Sequence, residues 1–160
     1  VDDENMEEVV AKLLKDNCLT VACAESCTGG MLASRLTSIS GRSMNIKGSI
    51  VTYSNEAKMK FLDVDKEILD TKGAVSPEVA KQMAEGVRKA VGSDIGVGIT
   101  GIAGPTGGTD KKPVGLVYIA VAGKDNTVVK ENIFSGDRAR VRYRSTQQAL
   151  EMIRQYIKNK

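Results

Sequence analysis

Between Ser49 and Lys58 the chain changes its period. Ser49-Ile50-Val51-Thr52-Tyr53 is a β-branched and aromatic run, the composition of a strand that packs on a pleated surface. Ser54-Asn55 breaks the run, and Glu56 to Leu62 resumes with helix formers at a helical apolar spacing. A strand that feeds straight into a helix places Tyr53 at the strand's C-terminal lip and Lys58 in the first turns of the helix. Open α/β sheets bind their ligands at that lip. An amine close to a helix N-terminus feels the positive end of the dipole, and partial burial also disfavours its charged form. Both effects favour a neutral lysine able to take a proton. A tyrosine hydroxyl, a lysine amine and a nearby serine make a hydroxyl-activating set. A core tyrosine and a solvated lysine would leave the same trace.

A strand runs into a glycine-bearing turn or loop at two further places. Leu19 to Ala24 reads as a short buried strand; it runs into Glu25-Ser26-Cys27-Thr28-Gly29-Gly30, and helical spacing returns at Met31, Leu32, Leu36 and Ile39. Glycines let backbone N–H groups approach a ligand, and a helix start carries unpaired donors, so Ser26, Thr28, Gly29 and Gly30 form a candidate anion site with Thr28 as the expected cap. Neither GxxxxGK[ST] nor GxGxxG is present. A capped helix with glycines for tight packing fits these residues equally well. Asp94 to Thr100 reads as a third buried strand, followed by four glycines within Gly101 to Thr109. A loop of that kind offers many backbone donors and little bulk, as phosphate or oxyanion binding requires.

The remaining segments complete an alternating α/β pattern. Met6, Val9, Val10, Leu13 and Leu14 give one apolar stripe to a helix expected over about Asp3 to Lys15. A short helical piece is expected near Lys66 to Leu69. Ser76-Pro77-Glu78 starts a helix that ends around Gly92. Val114 to Ala122 and Thr127 to Phe134 read as two strands, antiparallel because only Gly123 to Asn126 separates them. Ser135-Gly136-Asp137 caps a terminal helix whose apolar face is Ala149, Leu150, Ile153, Tyr156 and Ile157. Arg138 and Arg142 share one face of its first turns, with Arg140 and Arg144 elsewhere. Such a pair suits a phosphate clamp or, equally, a solvated basic face.

Composition removes several classes of function. There is no histidine among the 160 residues, so a Ser-His-Asp triad and every histidine-containing metal site are excluded. Cys18, Cys23 and Cys27 form no CxxC pair; buried thiols in a reducing cytoplasm are expected, with no metal and no cofactor. The net charge of +3, the absence of tryptophan and an aromatic content of 4% argue against nucleic acid as a partner. No apolar run approaches the roughly 18 residues of a membrane span, and no signal peptide is expected. One domain is expected over residues 1–160, with a helix at about 3–15 and a core at about 19–158. A chain that begins at Val1 rather than Met is expected to be trimmed or cut from something longer.

AESCTGG (Ala24 to Gly30), GSIVTYSNEAK (Gly48 to Lys58), GAVS (Gly73 to Ser76), TGIAGPTGG (Thr100 to Gly108), KPVGLVY (Lys112 to Tyr118) and FSGDR (Phe134 to Arg138) together closely resemble the CinA C-terminal domain family. The resemblance runs from about Thr20 onward in family order, and nothing resembles the family's separate N-terminal domain. It implies a single three-layer α/β/α sandwich around a mixed sheet, a homodimer, and fusion to or association with an N-terminal CinA domain. It implies a cytoplasmic amidohydrolase that converts nicotinamide mononucleotide and water to nicotinate mononucleotide and ammonia. By position, the family's catalytic serine, tyrosine and lysine fall on Ser43, Tyr53 and Lys58. Substrate contacts are expected from Ser26, Thr28, Gly29 and Gly30, from Asn55, from Thr100, Gly101, Ile102, Ala103 and Gly104, and from Arg138 and Arg142. A strand from Ser49 to Tyr53 spans roughly 15 Å, which puts Ser43 at its far end unless the chain folds back or a second subunit contributes. Ser26 is the rival nucleophile on geometry. The alternative function is a non-catalytic nucleotide-binding or regulatory module related to competence- and damage-inducible proteins.

Overall fold

The computed structural model describes residues 5–41 and 43–160, with the side chain of Ser43 outside that description. Its five strands are β1 (Val21–Glu25), β2 (Ile46–Val51), β3 (Ile95–Gly101), β4 (Leu116–Ala122) and β5 (Thr127–Ile133), in the spatial order β2-β1-β3-β4-β5. β1 runs parallel to both neighbours and β3–β4 is antiparallel; β4–β5 is antiparallel too, as the short Gly123–Asn126 connection between them requires. The mixed sheet that the family resemblance implies is therefore present.

Six helices cover its two faces: α1 (Met6–Asp16), α2 (Met31–Thr37), α3 (Asn55–Leu62), α4 (Lys66–Lys72), α5 (Pro77–Val91) and α6 (Arg138–Lys158). Residues of one strand alternate between faces, and the two faces are built from different sizes of side chain. Val21, Cys23, Ile95, Val97, Ile99, Ile119 and Val121 pack against α1, α2 and α6. On the other face Ala22 and Ala24 meet α3, α4 and α5, while Ala120 and Ala122 meet Ala80 and Ala84 of α5. Gly96 and Gly98 let α5 lie almost on the backbone of β3: a Cβ on Gly98 would stand 2.5 Å from the Ala80 carbonyl oxygen and one on Gly96 2.1 Å from that of Ala84. The thin, glycine-bearing strand is what lets α5 approach.

Local chemistry sets the helix boundaries. Ser76 accepts from Val79 N with Pro77 at the first helical position, and Gly92 closes α5 with a left-handed φ of 78°. Asp137 caps α6 by accepting from Arg140 N. The helix expected from Asp3 begins within the described residues at Met6, after Asn5, and Asp3 lies outside them. The expected strand Ser49 to Tyr53 is shifted: β2 starts at Ile46 and ends at Val51, leaving Thr52 and Tyr53 in the connection to α3. It is an edge strand with alternating exposure, and its early half, Ile46-Lys47-Gly48, carries too weak a β signal to be read from composition.

Candidate functional site

The carboxyl ends of the parallel strands β1, β2 and β3 lie at one edge of the sheet, together with the amino end of β4 and the carboxyl end of β5. Three connections converge there: the Ser26–Gly30 turn, the Thr52–Ser54 link into α3, and the long loop after Gly101. The start of α6 joins them. Nearly every residue the sequence nominated lies at this lip.

Lys58 is its centre. Ser54 caps α3 by accepting from Ala57 N, which starts the helix so that Lys58 falls one turn in. Helical side chains lean back toward the N-terminus, and this carries the lysine to the lip. It is 2% exposed. Its Nζ donates to Thr52 O at 2.8 Å and lies 3.3 Å from Ser26 Oγ. Burial holds the amine below its usual value, with a neighbouring thiol, Cys27, pulling weakly the other way. Ser26 is half-buried and open to the lip. Cys27 beside it is no competitor as a nucleophile, because burial pushes its thiol up to about 11.

The Ser26–Gly30 turn differs from the sequence reading in one respect. Thr28 does not cap α2. Gly30 occupies the cap position with φ 100° and no side-chain bond, and Thr28 Oγ1 donates instead to Glu25 Oε1 at 2.6 Å. The capping anion is Glu25 itself, whose carboxylate accepts from Leu32 N at 2.9 Å and Ala33 N at 3.0 Å. A buried carboxylate beats a threonine hydroxyl here because it offers two acceptors to a positive helix end. The sequence did carry a signal for it, an acid ending an otherwise apolar strand.

Tyr53 and Arg142 flank the same turn. A Cβ on Gly29 would stand 3.2 Å from Arg142 Nη2 and 3.6 Å from Tyr53 Oη, so that glycine keeps the space between them clear. Arg142 reaches across from α6, donating from Nε to Cys27 O at 3.1 Å and from Nη2 to Thr28 O at 2.9 Å. Tyr53 is 64% exposed and makes no hydrogen bond to Lys58 among the described residues. Arg138 is exposed and donates to Gly104 O at 2.9 Å. The two arginines thus serve different loops rather than converging as a pair. Asn55 opens α3 in an exposed position.

The glycine-rich loop is more internally bonded than its composition suggests. Thr100 is buried and donates to Ala74 O, Ile102 N donates to Leu116 O, and Gly115 N donates to Ile102 O. Gly101 ends β3 against Leu116 and Val117, Ala103 is buried, and Gly104 presents its carbonyl to Arg138. Among the described residues no group of three or more Asp, Glu, Cys or His stands close enough to hold a metal ion.

Ser43 is elsewhere. It opens a short 3-10 turn, Ser43–Asn45, which leads into β2 at the end paired with Val21. The length of β2, roughly 16 Å at ~3.3 Å per residue, separates that end from Tyr53 and Lys58. One chain does not bring the three together.

Open α/β sheets bind ligands at the carboxyl ends of their parallel strands, and in this three-layer α/β/α domain that edge carries a serine hydroxyl 3.3 Å from a buried lysine amine. The chain belongs to the CinA C-terminal domain family, whose model matches residues 3–157. It is 53% identical over all 160 residues to a protein of Caldanaerobacter subterraneus subsp. tengcongensis provisionally named competence-damage inducible, of which it covers 39%. The chain therefore spans well under half the length of the curated relatives it matches. Among solved structures, a CinA superfamily protein of Klebsiella pneumoniae superposes with a TM-score of 0.93 at 31% identity, covering 98% of this chain and 100% of that one. The competence/damage inducible protein CihA of Agrobacterium tumefaciens gives 0.88 at 40% identity, covering 92% and 93%. No helix among the described residues is long and apolar enough to cross a membrane.

Proposed function

We propose that the domain is an amidohydrolase that deamidates nicotinamide mononucleotide, with Ser26 as the nucleophile and Lys58 as its base. The observation that carries this is the buried Lys58 Nζ 3.3 Å from Ser26 Oγ; the substrate comes from the family resemblance. Ser26 Oγ attacks the carboxamide carbon as its proton passes to neutral Lys58 Nζ. The tetrahedral oxyanion collapses, the C–N bond breaks, and Lys58 returns the proton to departing ammonia. Water then gives Lys58 a proton and attacks the Ser26 ester. Nicotinate mononucleotide leaves, and the proton returns to Ser26 Oγ.

The amides of Gly29 and Met31 are bonded within the turn, and those of Leu32 and Ala33 to Glu25. The oxyanion falls to the Thr28 and Gly30 amides, and the 5′-phosphate to the Arg138 and Arg142 side of the lip. Tyr53, exposed with its hydroxyl beside Gly29, stands at the rim of the site.

Ammonia release from nicotinamide mononucleotide by the purified protein is the test. Ser26→Ala is expected to abolish it and Ser43→Ala to leave it. A Ser26→Ala protein within about tenfold of wild type refutes the assignment, since loss of an activated nucleophile costs far more. The nucleophile would then be Ser43 supplied by a second copy in a homodimer.

A further inference from the structure

Glu25 ends β1 with its side chain wholly out of water. A carboxylate in that position is costly unless its oxygens are met by donors. Oε1 takes the Thr28 hydroxyl and Leu32 N, and Oε2 takes Ala33 N. All three donors follow Ser26 in the chain, so the carboxylate straps the turn back onto the strand it leaves. The Glu25 main chain continues the same system. Its carbonyl accepts from Thr52 N at 2.8 Å, and the Thr52 carbonyl in turn accepts from Lys58 Nζ. Hydrogen bonds radiating from this one residue therefore fix the turn that presents the Ser26 hydroxyl on one side and the backbone that anchors the Lys58 amine on the other.

We infer that Glu25 is a positioning residue for the Ser26–Lys58 pair, an inference that rests on the reading of those two as nucleophile and base. The carboxylate touches neither reacting atom. It acts by holding Ser26 Oγ within reach of Nζ, and it fills the amino end of α2, so that substrate anions cannot use the Leu32 and Ala33 amides.

Glu25→Gln tests this at nearly constant volume. The amide oxygen can still receive Thr28 and Leu32, but the new NH2 then faces Ala33 N–H, donor against donor. A misplacement of about 1 Å costs on the order of 100-fold, so kcat for nicotinamide mononucleotide is expected to fall about 10- to 100-fold with KM little changed, in assays run well below the melting temperature. The crystal structure of the variant is expected to show Ser26 Oγ and Lys58 Nζ no longer within hydrogen-bond distance. Thr28→Val, which removes one of the three donors, is expected to lower kcat less, and Thr28→Ser to restore it. Glu25→Gln with the pair still at 3.3 Å overturns the inference, whether kcat falls or not. If Glu25→Gln does not fold, Thr28→Val at the wild-type rate overturns it. A wild-type protein that releases no ammonia would defeat the functional reading alone, leaving the Ser26–Lys58 separation in the variant as the measure of positioning.

Discussion

Lys58→Met separates the chemistry at the lip from the stability of the fold. The methionine keeps the length and apolar stem of the lysine and deletes the amine. General-base catalysis contributes about 10²- to 10⁴-fold, so kcat/KM is expected to fall by that factor, about 3 to 5.5 kcal/mol of transition-state stabilisation. The folded state should scarcely notice. Thr52 O loses its donor, at a cost of about 1 kcal/mol, while the amine's burial penalty disappears. Ser26 is half-buried, and water can replace the lost partner. Melting should shift by no more than a few degrees, given roughly 2–4 °C per kcal/mol in a chain of this size.

The pH dependence fixes the sign. Burial lowers the Lys58 pKa, so the neutral, basic form appears at a lower pH than in an exposed lysine. The wild-type rate is expected to rise with pH through that lowered value and then level. Stability follows the same direction: between the folded and the ordinary value the unfolded chain binds more protons, so wild type gains stability relative to Lys58→Met as pH rises. Lys58→Arg keeps a charge that cannot be lost and should show no rising limb. The assay is ammonia release across pH alongside thermal melting. A folded Lys58→Met protein within tenfold of wild type refutes the base assignment.

Three further substitutions test the frame around the pair. The Thr52 hydroxyl is buried and has no hydrogen-bond partner among the described residues, so Thr52→Val should raise stability by about 1 kcal/mol or more in denaturant melts. Gly98→Ala drives a methyl to 2.5 Å from the Ala80 carbonyl oxygen and should destabilise by about 1–3 kcal/mol or more through overpacking, read as a lowered melting temperature. Asp137→Ala removes the α6 cap bond to Arg140 N and should cost about 1 kcal/mol, again by melting.

What the sequence discloses follows from where the information sits. Helix α5 is written in adjacent residues, Ser76-Pro77 at its start and Gly92 at its end, and both boundaries are legible. The lip position of Lys58 is likewise local, set by a strand, a cap at Ser54 and the backward lean of a helical side chain. The pairing of Lys58 with Ser26 is not local. It spans 32 positions and depends on β1 and β2 lying side by side in parallel, which brings the ends of both strands to one edge. The cap of α2 is legible only in part: Thr28 and Glu25 both carry an oxygen that can accept from a helix start, the acid at the end of an apolar strand is a signal for Glu25, and the direction of each side chain decides between them. Ser43 shows the limit from the other side: motif position assigns it a role, but parallel pairing puts the start of β2 at the wrong end of the sheet. Strand direction decides which residues meet: within one chain it sets the serine that follows β1, and not the one that precedes β2, beside the Lys58 amine.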